Sequence, residues 1–116
     1  MTEIETFFGA WSMSDAEARA AAVGAALQPD ASYADPRTDA PLSGPDAIAE
    51  YVGMFSQMAP GAEAVVVKSD TIQNAARVTV AFRMADGKEQ LGQYFVEPAS
   101  GKISRMTGFV GIGAPE

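Results

Sequence analysis

The second half of the chain admits few folds. From residue 62 onward it reads as four strand-forming stretches, about 62–72, 76–85, 89–97 and 102–111, separated by turn signals. The stretch 76–85 alternates cleanly. Val78, Val80, Phe82 and Met84 fall on one face, and Arg77, Thr79, Ala81 and Arg83 on the other. Asp86-Gly87 is a hairpin dipeptide and Ser100-Gly101 marks the next turn. Three consecutive hairpins give an antiparallel sheet, and its apolar face must be covered.

The first half supplies the cover. Ile4, Phe7, Phe8 and Trp11 recur at i, i+3, i+4 and i+7, the pattern of a helix with a wide aromatic stripe. Ser14-Asp15-Ala16-Glu17 reads as a capping box, with Ser14 at the N-cap and Glu17 at N3. It opens an alanine-rich helix running to Leu27, which Pro29 stops. Residues 30–36 predict a short extended piece in which Pro36 biases Asp35 away from helical geometry, and residues 37–43 read as a loop. Gly44-Pro45-Asp46 then starts a third helix, with Pro45 at N1 and Asp46 on the positive end of its dipole. Its apolar face is Ile48, Tyr51, Val52, Phe55 and Met58, and Pro60-Gly61 ends it. Helices followed by strands, with no repeat or linker, predict one α+β domain over residues 1–116 with helices on one face of the sheet.

Composition narrows the chemistry. A chain of 116 residues has room for one core and one pocket. It has no cysteine, which excludes disulfides, thiolate catalysis and thiolate-ligated metals. It has no histidine either, so any acid–base work falls to carboxylates, Tyr or Lys. No metal and no cofactor is expected. The net charge is −7 and the eight basic residues are scattered, which argues against a nucleic-acid partner. The first residues are acidic where a signal peptide is basic, and no apolar run approaches the ~20 residues of a membrane span. The expectation is a cytoplasmic protein without a membrane partner.

Three features could carry function. Asp35 closes the short extended piece, and a core-facing placement would set its carboxylate among Tyr33, Tyr51, Phe55 and the aromatic stripe of the first helix. Desolvation there would make it a usable base near neutral pH. Asp-Pro is also a common turn dipeptide whose side chain bonds nearby backbone amides. The second feature is a set of aromatic and methionine side chains: Phe7, Trp11, Tyr33, Phe55, Met58, Phe82, Met84, Phe95 and Met106. They either fill a core or line a pliable apolar pocket. The third is Gln93, polar between Leu91 and Phe95. It either faces inward, where its amide could donate to a ligand, or faces outward with Tyr94 and Val96 inside. Arg83 and Arg105 could hold an anion, although Arg83 lies opposite the apolar stripe. The glycines at 108, 111 and 113 form no phosphate loop, because no helix follows them.

The order of these elements, with Tyr33-Ala34-Asp35-Pro36 before Gly44-Pro45-Asp46-Ala47-Ile48 and a final Gly101-Lys102-Ile103-Ser104-Arg105-Met106-Thr107-Gly108-Phe109, resembles the nuclear transport factor 2-like superfamily. That superfamily includes ketosteroid isomerase, scytalone dehydratase, limonene epoxide hydrolase and the SnoaL-like polyketide cyclases. The resemblance covers nearly the whole chain. It implies a cone, in which a curved, mainly antiparallel sheet wraps three helices and opens at one end to an apolar pocket, and it implies a homodimer through the outer sheet face. The catalytic base of ketosteroid isomerase falls on Asp35. Its oxyanion-hole tyrosine falls on Phe7 or Phe8 and its protonated aspartic acid on Gln93, so this chain has the base without the acid pair. The histidines of scytalone dehydratase are missing. Arg83 and Asp86 lack the spacing of the epoxide hydrolase group, and the cyclase aspartate falls near Gln93. The implied activity is proton abstraction by Asp35 next to a carbonyl of a small apolar molecule. Gln93, or a hydroxyl of Tyr33 or Tyr51, would stabilise the enolate. The alternative is a non-catalytic ligand-binding or dimerisation module.

Overall fold

In the computed structural model, which describes residues 2–111, the chain runs α1 (Glu3–Ala10), α2 (Ala16–Ala26), β1 (Leu27–Ala34), β2 (Leu42–Ser43), α3 (Pro45–Met58), β3 (Glu63–Ile72), β4 (Ala75–Arg83), β5 (Glu89–Ala99) and β6 (Lys102–Val110). The three expected helices and three successive hairpins are all present. No helix among the described residues is long and apolar enough to cross a membrane.

The helix starts follow local chemistry, with one correction. A capping box exists, but on α1. The Thr2 hydroxyl accepts from the Glu5 amide, and the Glu5 carboxylate accepts from the Thr2 amide. The N-cap of α2 is Asp15 rather than Ser14. The Asp15 carboxylate accepts from the Ala18 amide at 2.8 Å. Ser14 contributes only its carbonyl, which accepts from the Arg19 guanidinium, as the Met13 carbonyl also does. As expected, α3 carries Pro45 at N1 after Gly44.

The extended segment before α3 is longer than the sequence suggested. α2 ends at Ala26, and Leu27 already begins β1, so Pro29 sits inside a strand. It is tolerated because β1 is irregularly paired there. The β6 register shifts between Leu27 and Ser32, and β2 pairs only at Ser32–Ser43 and Tyr33–Leu42. The two-residue β2 lies within the expected loop, where no alternation could reveal it.

The strands form one six-stranded sheet in the order β2-β1-β6-β5-β4-β3, antiparallel throughout except for the parallel pair β1–β6. Register shifts at Val66/Lys68 and Glu97/Pro98 bend it. The helices fill the concave side. Phe7, Phe8, Val23, Ile48, Val52, Val78, Val80, Val96 and Ile103 form a core with essentially no exposed surface. On β5 the alternation resolves in one direction: Tyr94 and Val96 are buried inside, while Gln93 shares the outer face with Thr79 and Phe109, and Phe95 is 47% exposed.

If Asp15 is the cap, Asp15→Ala lowers the urea unfolding free energy by about 1 kcal/mol, whereas Ser14→Ala changes it by less than about 0.5 kcal/mol.

Candidate functional site

Three elements bring oxygen atoms to one point. Asp35 follows the last residue of β1, and a tight turn holds its backbone: the Thr38 amide and hydroxyl both donate to the Asp35 carbonyl. Tyr33 comes from β1, Tyr51 from α3 and Tyr94 from β5. The Tyr33 hydroxyl donates to Asp35 Oδ2 at 2.7 Å, and the Tyr51 hydroxyl donates to the same oxygen at 2.6 Å. Asp35 Oδ1 accepts from the Arg37 amide at 2.9 Å. Both sequence readings of Asp35 are therefore realised, one on each oxygen: a local turn bond at Oδ1 and an inward-facing polar contact at Oδ2. No Lys or Arg among the described residues forms an ion pair with the carboxylate.

The Tyr33 and Tyr94 hydroxyl oxygens lie 3.0 Å apart. A phenol has a single proton. With Asp35 ionised, Tyr33 gives its proton to the carboxylate, so Tyr94 is the donor to Tyr33. The chain runs Tyr94 to Tyr33 to Asp35, with Tyr51 joining from the other side.

Gly108 makes this arrangement possible. It pairs with Tyr94 across β5–β6, and a Cβ at position 108 would lie 2.5 Å from Tyr94 Cε2. The ring occupies the space a side chain would take.

Beside this cluster lies an open cavity of about 550 Å³. Asp35, Tyr51 and Tyr94 line its polar part, and Trp11, Phe55, Met58, Phe82 and Met84 line apolar walls. Six of the residues expected around a pocket are thus brought together with Asp35: Trp11, Tyr51, Phe55, Met58, Phe82 and Met84. Phe7, Tyr33 and Met106 are fully buried behind the wall and belong to the core. Gln93 and Phe95 are corrected. The β4–β5 register places them on the outer face, away from the cavity. Arg83 pairs with Glu89 at 2.9 Å and Arg105 approaches Glu97 at 3.9 Å, all on the exposed surface.

Sequence reasoning missed Tyr94, although the signal was one residue away. If Gln93 faces out, its neighbour must face in. It also missed Arg37, whose amide holds Oδ1 and which stands at the cavity rim.

Burial is the main reason that Tyr33, Tyr51 and Tyr94 all hold their protons more tightly than an ordinary tyrosine. For Tyr33 the neighbouring Tyr94 and Asp35 charges add to it, and for Tyr51 the hydrogen bond to Asp35 does. For Tyr94 the bond with Tyr33 partly opposes burial. All three are therefore neutral donors across the physiological range.

No family model matches the chain, and no curated protein matches it in sequence. Solved structures do match. A SnoaL-like family protein from Agrobacterium tumefaciens, described as a candidate isomerase, superposes with a TM-score of 0.85 at 26% identity over 95% of each chain. A protein with a ketosteroid isomerase-like fold from Catenulispora acidiphila, solved with trimethylamine, gives 0.77 at 12% identity over 97% of this chain and 88% of that one. A candidate polyketide cyclase from Sinorhizobium meliloti gives 0.72 at 21% identity over 91% and 92%. The latter two speak to the fold alone.

The raised tyrosines have a consequence for stability. Their native pKa values lie above the ordinary 10.0, so the folded chain binds these protons more tightly than the unfolded chain. Their contribution is complete below about pH 10 and is lost as pH rises beyond it. The urea midpoint is expected to fall above about pH 10, and to fall less steeply in Tyr94→Phe, when unfolding is followed by circular dichroism.

Proposed function

We propose, from the nuclear transport factor 2-like fold that this chain has and from the carboxylate at the polar end of its cavity, that the protein binds a small apolar carbonyl compound and that Asp35 removes a proton from the carbon next to the carbonyl. The placement of Asp35 carries this reading: among the described residues it is the only carboxylate lining a cavity whose other walls are largely aromatic or methionine. A carboxylate offers about four lone-pair sites, and Tyr33, Tyr51 and the Arg37 amide occupy three of them. One site on Oδ1 remains to accept a proton. The C–H bond breaks, its proton goes to Asp35, and the electron pair moves onto the carbonyl oxygen as an enolate. Return of the proton to another carbon gives an isomerase. Attack of the enolate on a second carbonyl gives a cyclase. The A. tumefaciens neighbour, a candidate isomerase, supports the first of these reaction classes. A positioned base supplies about 10²–10⁴ in rate.

A second reading, a non-catalytic binding module, is favoured by one observation. Gln93, at the position of the family's second acid, lies outside the cavity. Deuterium uptake separates the two. Cyclohex-2-enone and 1-tetralone are incubated with the protein in heavy water, and exchange next to the carbonyl is followed by NMR. The first reading expects exchange above buffer that drops at least about 100-fold in Asp35→Asn. Exchange that survives this substitution removes Asp35 as the base, and no exchange with retained ketone binding favours the module.

We assign self-association to the outer sheet face, where the exposed Phe95 and Phe109 rings meet edge to face with centroids 5.7 Å apart. The expected assembly is a homodimer by analytical ultracentrifugation, shifted toward monomer by Phe95→Asp. A monomeric parent chain overturns the assignment.

A further inference from the structure

At rest, each phenol proton of the cluster is engaged within the chain of hydrogen bonds that ends on Asp35. Tyr33 and Tyr51 donate to Oδ2, and Tyr94 donates to Tyr33. The phenols of the cavity therefore leave no donor for a ligand oxygen, and the other polar side chains lining it, apart from Asp35 and Trp11, are those of Arg37 and Gln90. An enolate needs such a donor. If Asp35 is the base, the step that makes the enolate also neutralises the carboxylate. Hydrogen bonds to an ionised acceptor are roughly twice as strong as those between neutral groups. Once the negative charge has moved from Asp35 to the ligand oxygen, a hydroxyl able to reach both turns toward the ligand.

Two of the three hydroxyls belong to residues that line the cavity, those of Tyr51 and Tyr94. Tyr33 is buried behind the wall. Tyr51 bonds the carboxylate directly, is the more open of the two, and sits on the rigid α3. Tyr94 is fixed at the other end, with its ring seated against Gly108 and its proton on Tyr33. It holds Tyr33 in place and so keeps one side of Oδ2 occupied.

We propose that Tyr51 is the oxyanion donor of this site, and that its proton becomes available to a ligand only after Asp35 has taken one. Tyr33 and Tyr94 are positioning residues. The site then admits neutral carbonyl compounds and disfavours preformed oxyanions. The proposal rests on Asp35 acting as the base, but its test needs no turnover. No covalent change beyond the single proton transfer is involved, because the hydroxyl only rotates about its C–O bond.

The test uses 4-nitrophenolate, a delocalised oxyanion on a ring, with its absorbance reporting binding. In Asp35→Asn the Arg37 amide, which can only donate, sets the amide oxygen at the Oδ1 position. The NH₂ then faces Tyr33 and Tyr51 and releases the Tyr51 proton. Four proteins form a cycle: the parent chain, Asp35→Asn, Tyr51→Phe and the double variant. Asp35→Asn is expected to bind the probe at least about tenfold tighter than the parent. Tyr51→Phe should then remove about fivefold or more in the Asp35→Asn background and less than about twofold in the parent. Equal loss in both backgrounds overturns the conditional donor. A gain carried by Tyr94→Phe instead of Tyr51→Phe overturns the assignment of Tyr51, and no gain in Asp35→Asn overturns the proposal as a whole. Asp35→Ala, which deletes the acceptor, is carried through the same cycle as a second route should the amide variant not fold. The cycle coming out as expected without deuterium exchange into ketones would sink the base and keep the switch. Exchange without the cycle would do the opposite.

Discussion

Trp11 is where the parts of this molecule meet. It caps α1, yet its ring lies 5.1–6.3 Å from six others: Phe7 and Phe8 of its own helix, Tyr33 of β1, Tyr51 and Phe55 of α3, and Phe82 of β4. One face of the molecule's centre is thus set by a single indole, which is also a wall of the cavity. Its Nε1 has no hydrogen-bond partner among the described residues. An orphaned buried donor costs about 1–3 kcal/mol. Aromatic pairs contribute about 0.5–1.5 kcal/mol each beyond the area they bury, so six of them outweigh that cost. The curved sheet needs such a hub, because a bent surface cannot be filled by the straight stripe of one helix.

The carboxylate beside this hub differs in kind from an isolated acid in an apolar pocket. Two neutral phenols and one backbone amide surround it, the phenols directed by packed residues and the amide by a local turn. Hydrogen bonds replace the water that burial removed, and they do so without a cation. The carboxylate is held at the edge of the cavity by these three bonds. The resemblance set the oxyanion positions at Phe7 or Phe8 and at Gln93, whereas here the hydroxyls of Tyr33 and Tyr51 bond Asp35 itself.

Much of this was legible in the chain. Periodicity gave the three helices and the three hairpins, because long amphipathic segments bury one face and say so. It placed Trp11, Tyr51, Phe55, Met58, Phe82 and Met84 on inward stripes, and the dipeptide Asp35-Pro36 marked the end of an extended piece. Phe95 and Gln93 were misplaced for a definite reason. Leu91, Gln93 and Phe95 alternate with Gly92, Tyr94 and Val96, and both sets contain large apolar residues. Only pairing with Val78 and Val80 of β4 decides between them, and that is a tertiary fact. β2 was invisible because two residues have no period. The cap at Asp15 lost to Ser14 because the two are adjacent and both can cap.

The parallel pair β1–β6 has a bearing on how the molecule comes into being. Tyr33 pairs with Met106 and Ser32 with Arg105, so strands far apart in sequence lie side by side. The hairpins from β3 to β6 can form from neighbours, but β1 has no long partner until β6 is in place. A ribosome-bound chain that has emerged only as far as β5 would carry Asp35 and all three tyrosines of the cluster without the strand that locks Tyr33 beside Tyr94. The pocket is thus a late product of biogenesis, assembled by the last contact of the sheet.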